Sequence, residues 1–217
     1  MELSGIAYQE NQPFLCKEDL LAISDQNSDL QCFLRKEKNC LYITFRGTNS
    51  KKDRRTNIMF CKKVIPYGNP YSKVKVHSGF INAYKSPYVR NKIHSQISDK
   101  ISEIKISGHS QGAALALLCG LDLSYNFPGK DYEVIVFGCP RVGNSAFKKS
   151  YEKRVFKTLR IENGNDIVTK IPLFIMGYRH VGTVFRIGVP RLPGVISFND
   201  HRPQKYYMNI MLALIHI

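Results

Sequence analysis

In this 217-residue chain the stretch Gly108-His109-Ser110-Gln111-Gly112 offers the clearest capacity for covalent chemistry. A serine hydroxyl is a poor nucleophile at neutral pH, and it becomes a good one when a base within hydrogen-bond reach takes its proton and a carboxylate orients that base. Gly-x-Ser-x-Gly is the nucleophile-elbow pattern, in which the serine stands at the tip of a sharp strand-to-helix turn with its hydroxyl above the sheet. Without a Cβ, Gly108 and Gly112 let that turn tighten and let the helix pass close to neighbouring strands. The chemistry this predicts is acyl transfer through a tetrahedral intermediate, whose negative oxygen must be met by preorganised donors.

Chain order narrows the remaining parts. On the elbow fold the serine is followed by the acid and then by the histidine, and active groups gather beyond the carboxyl ends of the strands. Asp166 meets the first condition, in the turn-forming cluster Asn163-Gly164-Asn165-Asp166 directly after a strand; the plainer reading is an aspartate making an Asx-turn. Asp122 falls inside the elbow helix and Asp131 ahead of a strand, which puts both at the wrong end or face. Of the later histidines, His180 begins a strand and reads as structural. His201, in the polar loop Asn199-Asp200-His201-Arg202-Pro203, is the favoured base. His77, His94, His109 and His216 read as structural or solvated, with the elbow turning His109 away from the nucleophile. The backbone N–H of Gln111 supplies one oxyanion donor, and Thr48, in the loop after an earlier strand, is the candidate for the second; the alternative for Thr48 is a plain turn residue.

These residues need elements to hold them. The alternating run Ile104 to Ser107 predicts the strand before the elbow, and Ala113 to Leu118 predicts the helix after it. Aromatic and β-branched runs predict strands at Leu41–Phe45, Tyr132–Phe137, Val155–Ile161 and Val181–Ile187. Further expectations are a helix near Asp19 to Ile23, a strand at Leu30–Leu34 and another at Lys73–His77. A helix over Ser78 to Lys100, interrupted at Pro87, and a last helix from Gln204 complete the reading. Strands alternating with helices argue for a single α/β domain over residues 1–217, with a mixed, mostly parallel central sheet flanked by helices.

Apolar residues make up 43% and charged residues 23%, the balance of a soluble globular chain. The net charge of +15 favours an anionic partner, either lipid phosphates or nucleic acid. No nucleic-acid motif accompanies it, so nucleic acid is the less expected of the two. The basic stretch 51–63 encloses Ile58-Met59-Phe60 and suits a short amphipathic element. The six cysteines show no Cys-x-x-Cys and no zinc spacing, so free buried thiols are expected, with no metal and no cofactor. Met1 to Gln12 lack a basic head followed by an apolar core, and the longest apolar stretch, Met208 to Ile217, is too short to cross a bilayer. The expectation is a cytoplasmic protein with a packed terminal helix and, at most, peripheral membrane contact.

Several blocks together resemble one family, the class 3 (fungal-type) lipases of the α/β-hydrolase fold. They are Tyr42-Ile43-Thr44-Phe45-Arg46-Gly47-Thr48, Val76-His77-Ser78-Gly79-Phe80 with Ala83-Tyr84, and the elbow itself. Phe137-Gly138-Cys139-Pro140-Arg141-Val142-Gly143-Asn144, Asn165-Asp166-Ile167-Val168 with Pro172, and His180-Val181-Gly182 follow in family order. The resemblance implies Ser110 as nucleophile, Asp166 as acid, His201 as base, Thr48 with Gln111 as oxyanion hole, and a lid over residues 50–63. It departs from the family where Gln111 replaces the usual leucine and Ala113 the usual glycine. It implies a serine hydrolase that cleaves carboxylic esters of acyl lipids, lipase- or phospholipase-like, through an acyl-enzyme. The basic lid stretch tilts the expectation towards anionic, polar lipids. The alternative is a non-catalytic basic protein that kept the fold and binds membranes or nucleic acid.

Overall fold

Period-two alternation builds the sheet. In β6 (Glu103–His109), Ile104, Ile106 and Gly108 are buried on one face while Lys105 and Ser107 occupy the other. The computed structural model describes residues 20–25, 30–46, 63–66, 69–189 and 193–215. Within them, β1 (Leu20–Asp25), β2 (Leu30–Glu37), β3 (Cys40–Phe45), β6, β7 (Asp131–Phe137), β8 (Lys157–Asn163) and β9 (Thr183–Ile187) form one seven-stranded sheet in that order. The first two pairings are antiparallel and the four from β3 to β9 are parallel, with Ile43 beside Ile106 and Ile106 beside Val134 across the centre. A short ribbon pairs β4 (Lys63–Val64) with β5 (Val76–His77).

The helices are α1 (Ser78–Tyr84), α2 (Pro87–His94), α3 (Gln111–Asn126), α4 (Ser145–Glu152) and α5 (Pro203–Ile215). Helix α3 is apolar nearly all round, as a helix enclosed on all sides must be; from Gly112 to Gly120 every residue is buried. It lies on β3, β6 and β7 with α1 against its flank. The opposite face of the sheet has a smaller core, in which Tyr206 and Ile210 of α5 cover Phe137, Ile161 and Ile187. That packing uses one side of α5 only: Tyr207, Met208, Met211, Leu212 and Leu214 are 44–62% exposed. Among the described residues no helix is long and apolar enough to cross a membrane.

Three sequence expectations change. Residues 20–25 form a strand and not a helix, because a piece this short cannot sustain helix nucleation while β2 offers it a complete antiparallel ladder from Leu20–Arg35 to Asp25–Leu30. The helix over 78–100 breaks at Pro87 as expected, where Pro87 takes the first turn of α2 and the preceding Ser86 is extended in ψ, but it ends at His94 and not at Lys100. The strand at 73–77 shrinks to its last two residues. Four of the six cysteines, Cys32, Cys40, Cys119 and Cys139, are free and buried.

Asp122, set aside as a catalytic acid, ties α1 and α2 to α3. Its carboxylate accepts hydrogen bonds from Tyr84 OH (2.7 Å), Arg90 Nε (3.0 Å) and Nη2 (2.9 Å) and lies 2.7 Å from His94 Nε2. Burial works against the charged carboxylate, yet these partners, His94 and Arg90 foremost, bring its pKa down to about 2. A carboxyl lowered on folding stabilises the fold above its unfolded pKa, and the contribution fades as pH falls through the folded value. Asp122→Asn is therefore expected to lose roughly 2 kcal/mol at neutral pH. In urea unfolding the gap between variant and wild type should close between pH 4 and pH 2; a gap independent of pH would contradict the assignment.

Candidate active site

The turn between β6 and α3 is as tight as the glycines predict. A Cβ on Gly108 would run into the backbone of Gly112, and one on Gly112 into the backbone of Phe45 and Arg46. Between them Ser110 takes φ 60°, ψ −124°, a conformation rarely populated by a residue with a side chain and costing on the order of 1–3 kcal/mol. Its amide donates to Phe137 O at 3.0 Å, which fixes the tip of the turn against β7.

Above that tip Ser110 Oγ lies 2.7 Å from His201 Nε2, and His201 Nδ1 lies 2.8 Å from Asp166 Oδ2. A carboxylate oxygen only accepts, so Nδ1 carries the hydrogen and Nε2 presents its lone pair to the serine hydroxyl. Asp166 Oδ2 also accepts from Tyr206 OH at 2.6 Å, and Oδ1 accepts from Val168 N–H at 2.8 Å. Asp166 is thus both an Asx-turn aspartate and the partner of His201, one oxygen for each. Burial and the adjacent Asp166 raise the Tyr206 hydroxyl far above its ordinary range, so it remains a donor.

Two loops are laced together to hold this pair. Asn163 Nδ2 donates to Asp200 O (2.9 Å), Asn165 N–H to Asp200 Oδ2 (3.0 Å), and Ser197 N–H to Asn165 O (2.9 Å). Gly138, at the end of β7 with φ 56°, passes beneath; a Cβ there would come within 2.9 Å of Asp166 Oδ2 and 3.0 Å of His201 Nδ1. Gln111 opens α3, so its amide sits at the positive end of the helix dipole. Thr48 lies outside the described residues, as does the lid span 50–63 apart from Lys63 in β4.

Known proteins resemble this chain in sequence and in fold. The family model described as Lipase (class 3) matches residues 42–176. The chain belongs to the class 3 lipase family. A lipase of Rhizopus niveus is 33% identical over 170 residues, an alignment covering 74% of this chain and 41% of the relative. The chloroplastic phospholipase A(1) DAD1 of Arabidopsis thaliana is 33% identical over 159 residues, covering 65% and 36% respectively. Among solved structures, the triacylglyceride lipase of Rhizomucor miehei superposes with a TM-score of 0.69 at 28% identity, over 79% of this chain and 68% of that one. The chain therefore spans about two fifths of the length of these curated relatives, and shares the α/β-hydrolase architecture of the lipase structures.

Within this class 3 lipase domain the residues not chosen have other work. Asp131 stands at the amino end of β7, half exposed and paired with Lys157. His180 is partly buried with Nε2 2.8 Å from Thr169 O, and that desolvation, followed by the nearby Arg160 charge, takes its pKa down to about 3. It is a structural histidine, as its sequence position implied. Two contributors escaped sequence reasoning. Tyr206 had no signal beyond the rule that a buried tyrosine seeks a partner for its hydroxyl. His109, expected to be a structural histidine turned away from the nucleophile, stacks on His201, with ring centroids 4.7 Å apart, a contact the sequence did not suggest.

Proposed function

We propose that this domain hydrolyses carboxylic esters of acyl lipids through Ser110, His201 and Asp166. The observation that carries the reading is the unbroken relay from Ser110 Oγ through His201 to Asp166, at 2.7 Å and 2.8 Å. In acylation Ser110 Oγ attacks the ester carbonyl carbon while His201 Nε2 takes its proton; the carbonyl oxygen becomes negative and is met by the Gln111 N–H. Collapse expels the alcohol, which receives the proton from His201, and leaves an acyl-serine. Water, deprotonated by the same imidazole, then releases the fatty acid. Asp166 holds the tautomer and balances the imidazolium that forms twice per cycle. Thr48 is the proposed second donor of the oxyanion site, and residues 50–63 the proposed lid.

Acyl lipid is the favoured substrate class because apolar side chains crowd the loops that leave β8 and β9. Phe174 and Ile175 in the first, and Ile196 and Phe198 in the second, are 49–86% exposed. The relatives, named as a lipase and a phospholipase A(1), point the same way. The charge of +15 and the basic run 51–63 favour an anionic surface. The test compares triglyceride emulsion, phosphatidylcholine vesicles and phosphatidylglycerol vesicles at two salt concentrations, with fluorophosphonate labelling of Ser110 in parallel. Fatty acid release should be fastest from the anionic vesicles, and that advantage should shrink severalfold as the Debye length falls from about 10 Å to about 3 Å. Release from none of the three by a chain that still reacts with the fluorophosphonate would remove the lipid substrate while leaving the nucleophile. Salt-independent release would remove the anionic preference.

A further inference from the structure

The reaction just described uses one imidazole, yet a second lies against it. His109 is the last residue of β6, and strand alternation directs its side chain to the face covered by α5, away from α3. There it is 4% exposed. Its Nε2 is 2.9 Å from the backbone oxygen of His201, and the two rings stack at 4.7 Å with 28° between their planes. Tyr206, the tyrosine that donates to Asp166, meets the His109 ring edge-on at 5.5 Å and 71°. Because a carbonyl oxygen only accepts, His109 carries a hydrogen on Nε2.

We propose that His109 is a positioning residue for the general base: its N–H pins the main chain of His201, and its ring face sets the plane in which the His201 imidazole points at Ser110. The inference rests on the Ser110–His201–Asp166 reading. His109 and Ser110 are consecutive residues at the end of a strand paired on both sides. The nucleophile and the seat of its base are therefore parts of one rigid piece, and a motion of the β9–α5 loop that would separate them must first break the contact with His109. Three ionisable groups face or adjoin this ring: His201 in the stack, Tyr206 from α5, and Asp166 behind Tyr206. Burial, and then the neighbouring His201, hold His109 far below the ordinary imidazole range. A neutral ring is the neighbour the site requires, since a charged one would oppose the proton that His201 must take up. Phenylalanine supplies the ring face without the donor; glutamine places an amide N–H near the position of the imidazole Nε2 without the ring.

The test uses His109→Leu, His109→Phe and His109→Gln in the full chain, with a soluble short-chain nitrophenyl ester as substrate. The leucine variant should lose about 10- to 100-fold in kcat with KM within about twofold, the scale expected when a catalytic group is displaced by about an ångström. The phenylalanine and glutamine variants should each recover part of the loss. The downfield proton NMR signal of the His201 Nδ1–H bonded to Asp166 should broaden or vanish in the leucine variant and persist in the other two. A purely structural role would lower the unfolding midpoint while leaving kcat per folded molecule and this signal intact, and that result overturns the proposal. If the leucine variant does not fold, wild-type kcat in both of the others overturns it equally. A wild-type chain that neither hydrolyses the ester nor reacts with a fluorophosphonate removes the triad and this inference together. Wild-type labelling and turnover with indifferent His109 variants removes this inference alone.

Discussion

Ser110→Ala is expected to reduce hydrolysis of a soluble nitrophenyl ester by on the order of 10⁶-fold and to abolish fluorophosphonate labelling, while the fold persists. The size of the loss follows from the acyl-enzyme route: without Oγ there is no atom to form the covalent intermediate, and His201 can at best activate a water in the place the hydroxyl held. The fold should survive because the substitution leaves the strain where it was. Alanine keeps the Cβ, so the cost of φ 60° is unchanged. The amide of residue 110 still reaches Phe137 O, and the glycines on either side keep their close backbone contacts. What disappears is one partly buried hydrogen bond to His201 Nε2, worth about 1 kcal/mol, and water can replace it in part. The measurement pairs initial rates with thermal unfolding. Wild-type turnover in a folded alanine variant would end the assignment of the nucleophile.

The elbow was legible because every constraint on it is local. Three positions out of five carry the glycine and serine chemistry, with an alternating strand on one side and small helix-forming residues on the other. Asp166 and His201 were legible for a different reason: chain order and the carboxyl-end rule leave few candidates once Ser110 is placed. Where the deciding partner lay outside the segment being read, sequence reading went astray. Residues 20–25 looked helical because nothing inside that short run reveals the ladder that β2 provides. His109 read as structural or solvated because its contact is with a loop 92 positions downstream, and only the face of β6 it occupies brings it there. Helix α4 went unread although its signal was present. Asn144 caps it through Oδ1 to the Phe147 amide at 2.9 Å, and Phe147 and Tyr151, four apart, are its buried pair. Two core contacts per helix give too weak a periodicity to stand out from a lysine-rich stretch.

Asp166→Asn is the second large effect, about 10⁴-fold in kcat, and it separates orientation from simple removal of a group. The two carboxylate oxygens of Asp166 accept three hydrogen bonds: from His201 and Tyr206 on Oδ2 and from Val168 N–H on Oδ1. An asparagine has one acceptor oxygen for these two positions. If its oxygen faces His201 and Tyr206, the amide NH₂ is pressed against the Val168 N–H, donor to donor. If its oxygen faces Val168, the NH₂ confronts His201 Nδ1, and the ring must shift its hydrogen to Nε2, where it opposes the Ser110 hydroxyl and has no lone pair for the proton. The Tyr206 hydroxyl loses its acceptor in the same arrangement. It must either turn away from Asn163 N–H, which it now accepts at 3.1 Å, or remain unpaired at a buried site. Either orientation leaves a mismatch costing about 1–3 kcal/mol, so the variant should unfold at lower urea concentration as well as turn over slowly. Adding Tyr206→Phe removes one of the competing donors but also the acceptor of the buried Asn163 N–H, so the double variant should regain neither the stability nor the rate. Recovery of both would place the fault in packing and not in the orientation of His201.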